Sequence, residues 1–395
     1  MTITSQPVEI SPLGNTKVFE PIKVGANTLN QRIAYVPTTR FRATKDHIPS
    51  DLQLEYYKAR AQAPGTLLIT EATYTSPQGG IDLHVPGIYN SRQAKAWKQI
   101  TDAIHEQKSF AAVQLWYLGR VANAKDLKDE GLPLVGPSEV YWSEESEKLA
   151  KEAGNPLRAL TVEEIDHIVN VEYPNAAKKA LEAGFDYLEV HSAHGYLIDQ
   201  FLNPASNKRT DEYGGSIENR ARLLFRVLDK LIELVGADKV AVRFSPWATF
   251  QGVEPEGEKL HTYILQELTK RAQDGKELAY ISYVEPRVSG IVDVAQGEEP
   301  GTNDFVLKAW KGRLIRAGNY TYDAPKFETI VRDVQDDRTI IGFSRFFTSN
   351  PDLVEKLKDG TPLNYYNRDE FYKYYNYGYN TYDDSAKEVT GKPLA

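Results

Sequence analysis

His191, His194 and Tyr196 fall within six residues, close enough for two imidazoles and a phenol to act on one small molecule. Zinc is the first chemistry such histidines suggest. A helical zinc pair sits four residues apart, however, whereas these sit three apart at the end of a β-rich run, and no third ligand follows. For either histidine alone, a satisfied structural role is the bland alternative. With Tyr196 two residues on, the set reads better as two N–H donors for a carbonyl oxygen and a phenol able to give a proton. Arg345 adds a planar fork suited to phosphate oxygens, and Gly318 allows close backbone approach. Glycoside hydrolysis needs paired carboxylates, for which only Glu71 and Glu285 stand at comparable places, and both also read as structural. A Schiff-base lysine has no counterpart in Tyr283-Val284-Glu285. The chain has no cysteine, which excludes disulfides, thiolate nucleophiles and cysteine-held metal clusters.

These groups lie far apart in sequence and need elements that bring them together. Eight β-branched runs recur, at 32–39, 66–73, 110–116, 187–191, 240–245, 279–285, 313–319 and 339–345. Several are nearly continuous in apolar residues, as parallel strands covered on both faces are. Helix-like stretches separate them. Ser50 with Gln53, and Thr161 with Glu164, are capping boxes, and Pro174 is expected to kink or break the second helix. From Ser216 onward, Ile217, Ala221, Leu224, Leu228, Leu231 and Val235 form one apolar stripe.

The alternation predicts a single α/β domain over 1–395, a (β/α)8 TIM barrel spanning about 32–360. A doubly wound sheet would place a Gly-rich turn after its first strand, where Pro37-Thr38-Thr39-Arg40 stands. An N-terminal β-hairpin at about 17–32, turning at Gly25-Ala26-Asn27, is expected to plug the barrel bottom. Loop insertions follow strand three (117–160) and strand six (287–303), the latter a loop or lid. The aromatics of the tyrosine-rich stretch 365–382 are expected to pack the final helix onto the barrel, a few reaching the pocket.

In this fold the chemistry lies at the C-terminal ends of the strands. Those ends carry Pro37, Thr39, Ala72, Gln114, Trp116, the 191–196 group, Arg243, Gly318, Asn319, Ser344 and Arg345. Neutral hydrogen-bonding groups outnumber carboxylates there, which suits a planar heteroaromatic ligand better than a metal ion. A phosphate tail would fall at Gly318-Asn319 and Ser344-Arg345, after the last two strands.

A formal charge of −8 gives no electrostatic footprint for nucleic acid. Residues 1–7 have neither a basic nor an apolar leader pattern, and no run approaches the roughly 18 apolar residues of a membrane span. The expectation is a cytoplasmic protein without a membrane partner, either monomer or homodimer.

Residues 191–220, HSAHGYLIDQFLNPASNKRTDEYGGSIENR, closely resemble the signature of the Old Yellow Enzyme family. Ser76-Pro77-Gln78, Gln114-Leu115-Trp116, Arg316-Ala317-Gly318-Asn319 and Arg345-Phe346-Phe347 match in family order. The resemblance runs from about Lys17 to Tyr382 and looks like the yeast branch. It implies an FMN-dependent NADPH dehydrogenase or ene reductase, holding FMN non-covalently and using no metal. Such an enzyme takes hydride from NADPH and reduces the activated C=C bond of α,β-unsaturated carbonyl compounds such as enones and enals. It also binds phenolic ligands.

By the same resemblance, Pro37, Thr39, Ala72, Gln114, Arg243, Gly318, Asn319, Ser344 and Arg345 would hold the flavin. His191 and His194 would bind the substrate carbonyl oxygen, Tyr196 would protonate the α-carbon, and Trp116 and Tyr372 would shape the substrate pocket. Three positions depart from the yeast pattern. His194 stands where many yeast members have asparagine, Ala72 where glycine is common, and Gly80-Ile81-Asp82 lacks a tyrosine found in several relatives. These changes bear on substrate scope, not on the reaction.

Overall fold

Eight parallel strands close on themselves in the computed structural model, which describes residues 6–395. Of the stretch read for a leader, residues 1–5 lie outside the described residues. The strands are β1 (Ile33–Tyr35), β2 (Leu67–Tyr74), β3 (Phe110–Trp116), β4 (Tyr187–His191), β5 (Val240–Phe244), β6 (Tyr280–Val284), β7 (Leu314–Ala317) and β8 (Thr339–Phe343). Each pairs with the next in sequence and β8 pairs with β1, so the expected (β/α)8 architecture is present. An outer ring follows them in order: α1 (Asp51–Arg60), α2 (Ser91–Glu106), α3 (Tyr173–Glu182), α4 (Arg222–Val235), α5 (Glu258–Gln273), α6 (Asp304–Ala309), α7 (Glu328–Asp333) and α8 (Leu353–Asp359).

Strand alternation decides which side chains reach the site. On β4, Leu188 and Val190 pack outward against the helices, which leaves Tyr187, Glu189 and His191 facing inward. On β3, Ala111, Val113 and Leu115 face out, leaving Gln114 and Trp116 within. A bulge between Ile69 and Ala72 breaks the rule on β2. It turns Glu71 out of the barrel, where Gln53 Nε2 donates to its Oε1 at 2.7 Å, and leaves Ala72 on the cavity side. Glu285 is engaged as well, accepting from Arg316 Nε at 2.7 Å. Both acids at the strand ends are therefore structural.

The helix opened by Thr161 does not break at Pro174. Thr161 and Glu164 exchange side-chain-to-backbone bonds of 2.8 and 3.1 Å, and Val162–His167 runs through one π turn, Ile168–Glu172, into α3. Tyr173 N–H reaches back to the Ile168 carbonyl, and the wider turn accommodates the donor that proline lacks. On α4, the stripe residues Leu224, Leu228 and Leu231 are fully buried.

Ile22–Val24 and Asn27–Leu29 form the expected hairpin. Its Ile22, Val24 and Leu29 share one core with Leu67, Ala112 and Ala241 inside the barrel, and the Tyr187 hydroxyl donates to the Val24 carbonyl at 2.8 Å. The 117–160 insertion carries two helices, Ala124–Asp129 and Glu144–Glu152, around a small core of its own with Leu127, Leu134 and Leu157. Within 287–303, Val288–Ser289 pairs antiparallel with Val292–Asp293.

The tyrosine-rich stretch differs from expectation. The final helix, α8, ends before it, and the stretch follows as irregular chain with one 3-10 turn, Arg368–Glu370. Its carbonyls are taken by two buried guanidiniums. Arg40 donates to Phe371 O at 3.1 Å and Gly378 O at 2.8 Å, and Arg42 to Phe371 O at 2.7 Å and Glu370 O at 2.9 Å. Tyr379 stacks on Tyr56 of α1 at 4.1 Å. Among the described residues no helix is long and apolar enough to cross a membrane.

Candidate active site

A cavity of about 480 Å³ opens at the C-terminal ends of the strands, and every residue assigned to the flavin or the substrate lines it, whereas Glu71 and Glu285 do not. β1 and the turn after it contribute Pro37 and Thr39, β2 contributes Ala72, β3 Gln114 and Trp116, and β5 Arg243. Gly318-Asn319 and Ser344-Arg345 follow β7 and β8, and Tyr372 closes one side from the irregular chain.

His191 ends β4, and the chain then turns through His194 (φ +56°) and Gly195 (φ +75°). Two acceptors pin this turn. Ser245 Oγ takes the His194 N–H at 2.8 Å, and Asp199 Oδ2 takes the Gly195 N–H at 2.8 Å. Burial lifts the Asp199 carboxyl to about 7. The turn delivers Tyr196 edge-on to both Trp116 (4.8 Å between ring centroids) and His191 (4.9 Å). Trp116 is held in turn by stacking on Tyr74 at 5.2 Å.

Electrostatics fix the protonation states. His191 Nδ1 accepts the Ala193 N–H at 3.3 Å, so the ring proton sits on Nε2. Burial, His194 and Arg243 all push the His191 pKa well down, and burial and Arg243 bring His194 to about 3. Both imidazoles are neutral N–H donors at physiological pH. Burial raises the Tyr196 phenol, which stays protonated.

The remaining groups suit an anionic, hydrogen-bonding ligand. Arg243 keeps Nε and Nη1 buried without a partner, as His194 does its Nδ1. Such orphans are costly unless something fills the cavity beside them. At the far end Gly318 has φ +135°, a conformation that strains any side chain, and an added Cβ would lie 3.2 Å from the Glu285 backbone nitrogen. Arg345 lines the cavity but also donates to Asp293 of the 287–303 hairpin at 2.9 Å and to the Tyr366 hydroxyl at 3.0 Å. Planar polar groups at one end and a glycine cradle with an arginine at the other fit FMN. Among the described residues no three His, Asp or Glu side chains converge as metal ligands.

Several lining residues were not singled out from the sequence. Phe250 and Gln251 come from the turn after β5, and Ile291 from the 287–303 hairpin, segments with no motif to mark them. Thr38 was passed over beside Thr39, yet its hydroxyl lies 2.7 Å from Ser344 Oγ and links the ends of β1 and β8. Asp82 reaches the wall and accepts from the Tyr74 hydroxyl at 2.9 Å.

Residues 17–364 match the NADH:flavin oxidoreductase / NADH oxidase family. The chain is 74% identical over 390 residues to the probable NADPH dehydrogenase of Candida albicans, a match covering 98% of this chain and 96% of the relative. It is 44% identical over 390 residues to enoate reductase 1 of Kluyveromyces lactis, covering 96% and 97%. The Old Yellow Enzyme of Pichia sp. shares the fold with a TM-score of 0.91 at 48% identity, over 97% of this chain and 100% of that one. With the barrel, the cavity and these likenesses together, the chain belongs to the Old Yellow Enzyme family of FMN-dependent oxidoreductases.

Proposed function

We propose that the protein is an NADPH-dependent ene reductase that reduces the activated C=C bond of α,β-unsaturated carbonyl compounds, enones and enals, on non-covalently bound FMN. The names of the two relatives, NADPH dehydrogenase and enoate reductase, support the reaction class. The observation that carries the reading is the phenol of Tyr196 edge-on to the neutral imidazole of His191, in the cavity that also holds Arg243 and Gly318.

FMN is assigned to Pro37, Thr39, Ala72, Gln114 and Arg243 around its ring system and to Gly318, Asn319, Ser344 and Arg345 around its phosphate. When bound it supplies the redox chemistry, accepting hydride from NADPH and giving it to the alkene β-carbon. His191 and His194 donate to the substrate carbonyl oxygen, which draws electrons from the alkene and meets the negative charge that develops there. Donors of this kind in a desolvated site are each worth about 10²–10³ in rate. Tyr196 gives its proton to the α-carbon. Trp116 and Tyr372 bound the space left for the substrate.

The test is spectroscopic. Purified protein should be yellow, release FMN and not FAD on heating, bleach anaerobically with NADPH and recover its colour with cyclohexenone. Release of FAD, or no recovery with the enone, would overturn the assignment.

A further inference from the structure

Glu189 lies on β4 two residues before His191, faces the barrel interior with it and is completely shielded from solvent. Its Oε1 accepts from Gln114 Nε2 at 2.7 Å, and its Oε2 has no partner. Strand register explains the contact, because Gln114 stands opposite Glu189 across β3 and β4. Arg243 stands opposite His191 across β4 and β5, one layer above, with Nε and Nη1 unpartnered. Burial raises the Glu189 pKa, and attraction to Arg243 together with the Gln114 and Tyr280 side chains opposes that rise and favours the ionised form. Packing alone gives no reason for a carboxyl group here, since an apolar side chain of similar size would fill the space at lower desolvation cost.

Two consequences follow from the chemistry of the group. An ionised carboxylate only accepts, so the Gln114 amide must turn its NH2 toward Glu189 and its carbonyl toward the cavity, whereas an unheld amide can present either end. The buried negative charge also opposes the field of Arg243 on whatever lies above it.

We propose that Glu189 is a positioning residue for the flavin: it holds the Gln114 carbonyl toward the cofactor's N–H edge and, by offsetting Arg243, keeps the flavin's reduction potential low. The inference rests on the flavin site described above.

Glu189→Gln tests it in the holoenzyme. The glutamine keeps the shape, can donate as well as accept and carries no charge. FMN released on dilution, read by fluorescence, should show about tenfold weaker binding, the scale of one buried amide losing its alignment. The midpoint potential against a reference dye should become more positive, because the anionic reduced flavin loses a nearby negative charge. Glu189→Asp, which keeps the charge but withdraws it from Gln114, should weaken binding and leave the potential near that of the wild type. In a Gln114→Leu background the binding effect of Glu189→Gln should vanish. An unchanged potential in Glu189→Gln, or losses of affinity that simply add with those of Gln114→Leu, would make Glu189 a packing residue and overturn the proposal. A wild-type protein that holds no FMN would instead overturn the flavin assignment itself.

Discussion

Tyr196 contributes a proton only when a carbon accepts one, so its loss should divide the two halves of the reaction. Tyr196→Phe keeps the ring against Trp116 and His191 and removes only the hydroxyl. Flavin reduction by NADPH should stay nearly unchanged, while reoxidation by cyclohexenone should slow by about 10²–10⁴, the usual worth of a positioned general acid. Stopped-flow traces of each half-reaction decide it, and equal slowing of both would show the donor to be misassigned. The imidazoles give a second prediction. Because burial and Arg243 bring His194 to about 3 and hold His191 well below its ordinary value, both rings stay neutral at physiological pH. Phenol binding should therefore tighten with rising pH as the ligand ionises, up to the phenol's own pKa, with a long-wavelength charge-transfer band. His191→Ala with His194→Ala should abolish the band and leave the flavin content intact. At this scale the sequence was legible wherever chemistry left a rare residue at a strand end. Glu189 left no such mark, since a single acid inside Tyr187–His191 looks like any strand residue until register sets it beside Gln114.

Elements were legible through their periods and hidden where the period broke. The β-rich runs at 110–116 and 187–191 put Gln114, Trp116 and His191 at or near strand ends, where β3 and β4 carry them. The bulge on β2 has neither glycine nor proline to announce it, so only the structure shows that Glu71 is turned away while Ala72 faces the cavity. The π turn before Pro174 is hidden in the same way, because its sequence is ordinary helix. One element carries a measurable pH signature. His261 of α5 packs against Phe244 and bonds the Tyr283 hydroxyl at 3.1 Å, and burial lowers its pKa from 6.5 to about 3. The folded protein thus binds fewer protons than the unfolded chain between those values, and stability contributed by the neutral ring is lost as pH falls from 6.5 toward 3. His261→Leu removes this term and leaves opposing groups such as Asp199 in place. Its stability relative to the wild type should rise by about 2 kcal/mol between pH 8 and pH 5. Urea midpoints at each pH measure it, and a constant difference would refute the neutral buried histidine.

The molecule as a whole closes twice, once through the β8–β1 pairing and once through the irregular chain that crosses back to β1. The first closure follows from eight strands in sequence order. The second is not legible in the sequence, because tyrosine density suggests packing but not which backbone groups are needed, and the need belongs to Arg40 and Arg42. Deleting residues 365–395 should expose both guanidiniums to water, remove the carbonyls that accept from them and lower stability by about 3–6 kcal/mol, given roughly 1.5–3 kcal/mol for the hydrogen bonding of each charged group. Denaturant unfolding of the truncated chain beside Tyr372→Ala, which removes one side chain that is 43% exposed, separates anchoring from wall-building. The same arrangement imposes an order on biosynthesis. Arg40 and Arg42 leave the ribosome before the second strand, but the carbonyls that accept from them emerge only after all eight strands. A nascent barrel can therefore complete its floor, with the hairpin in place, while its rim stays open and two cations remain in water. The cavity wall at Tyr372 is added after all eight strands, so the cofactor site is sealed only once the barrel behind it is built.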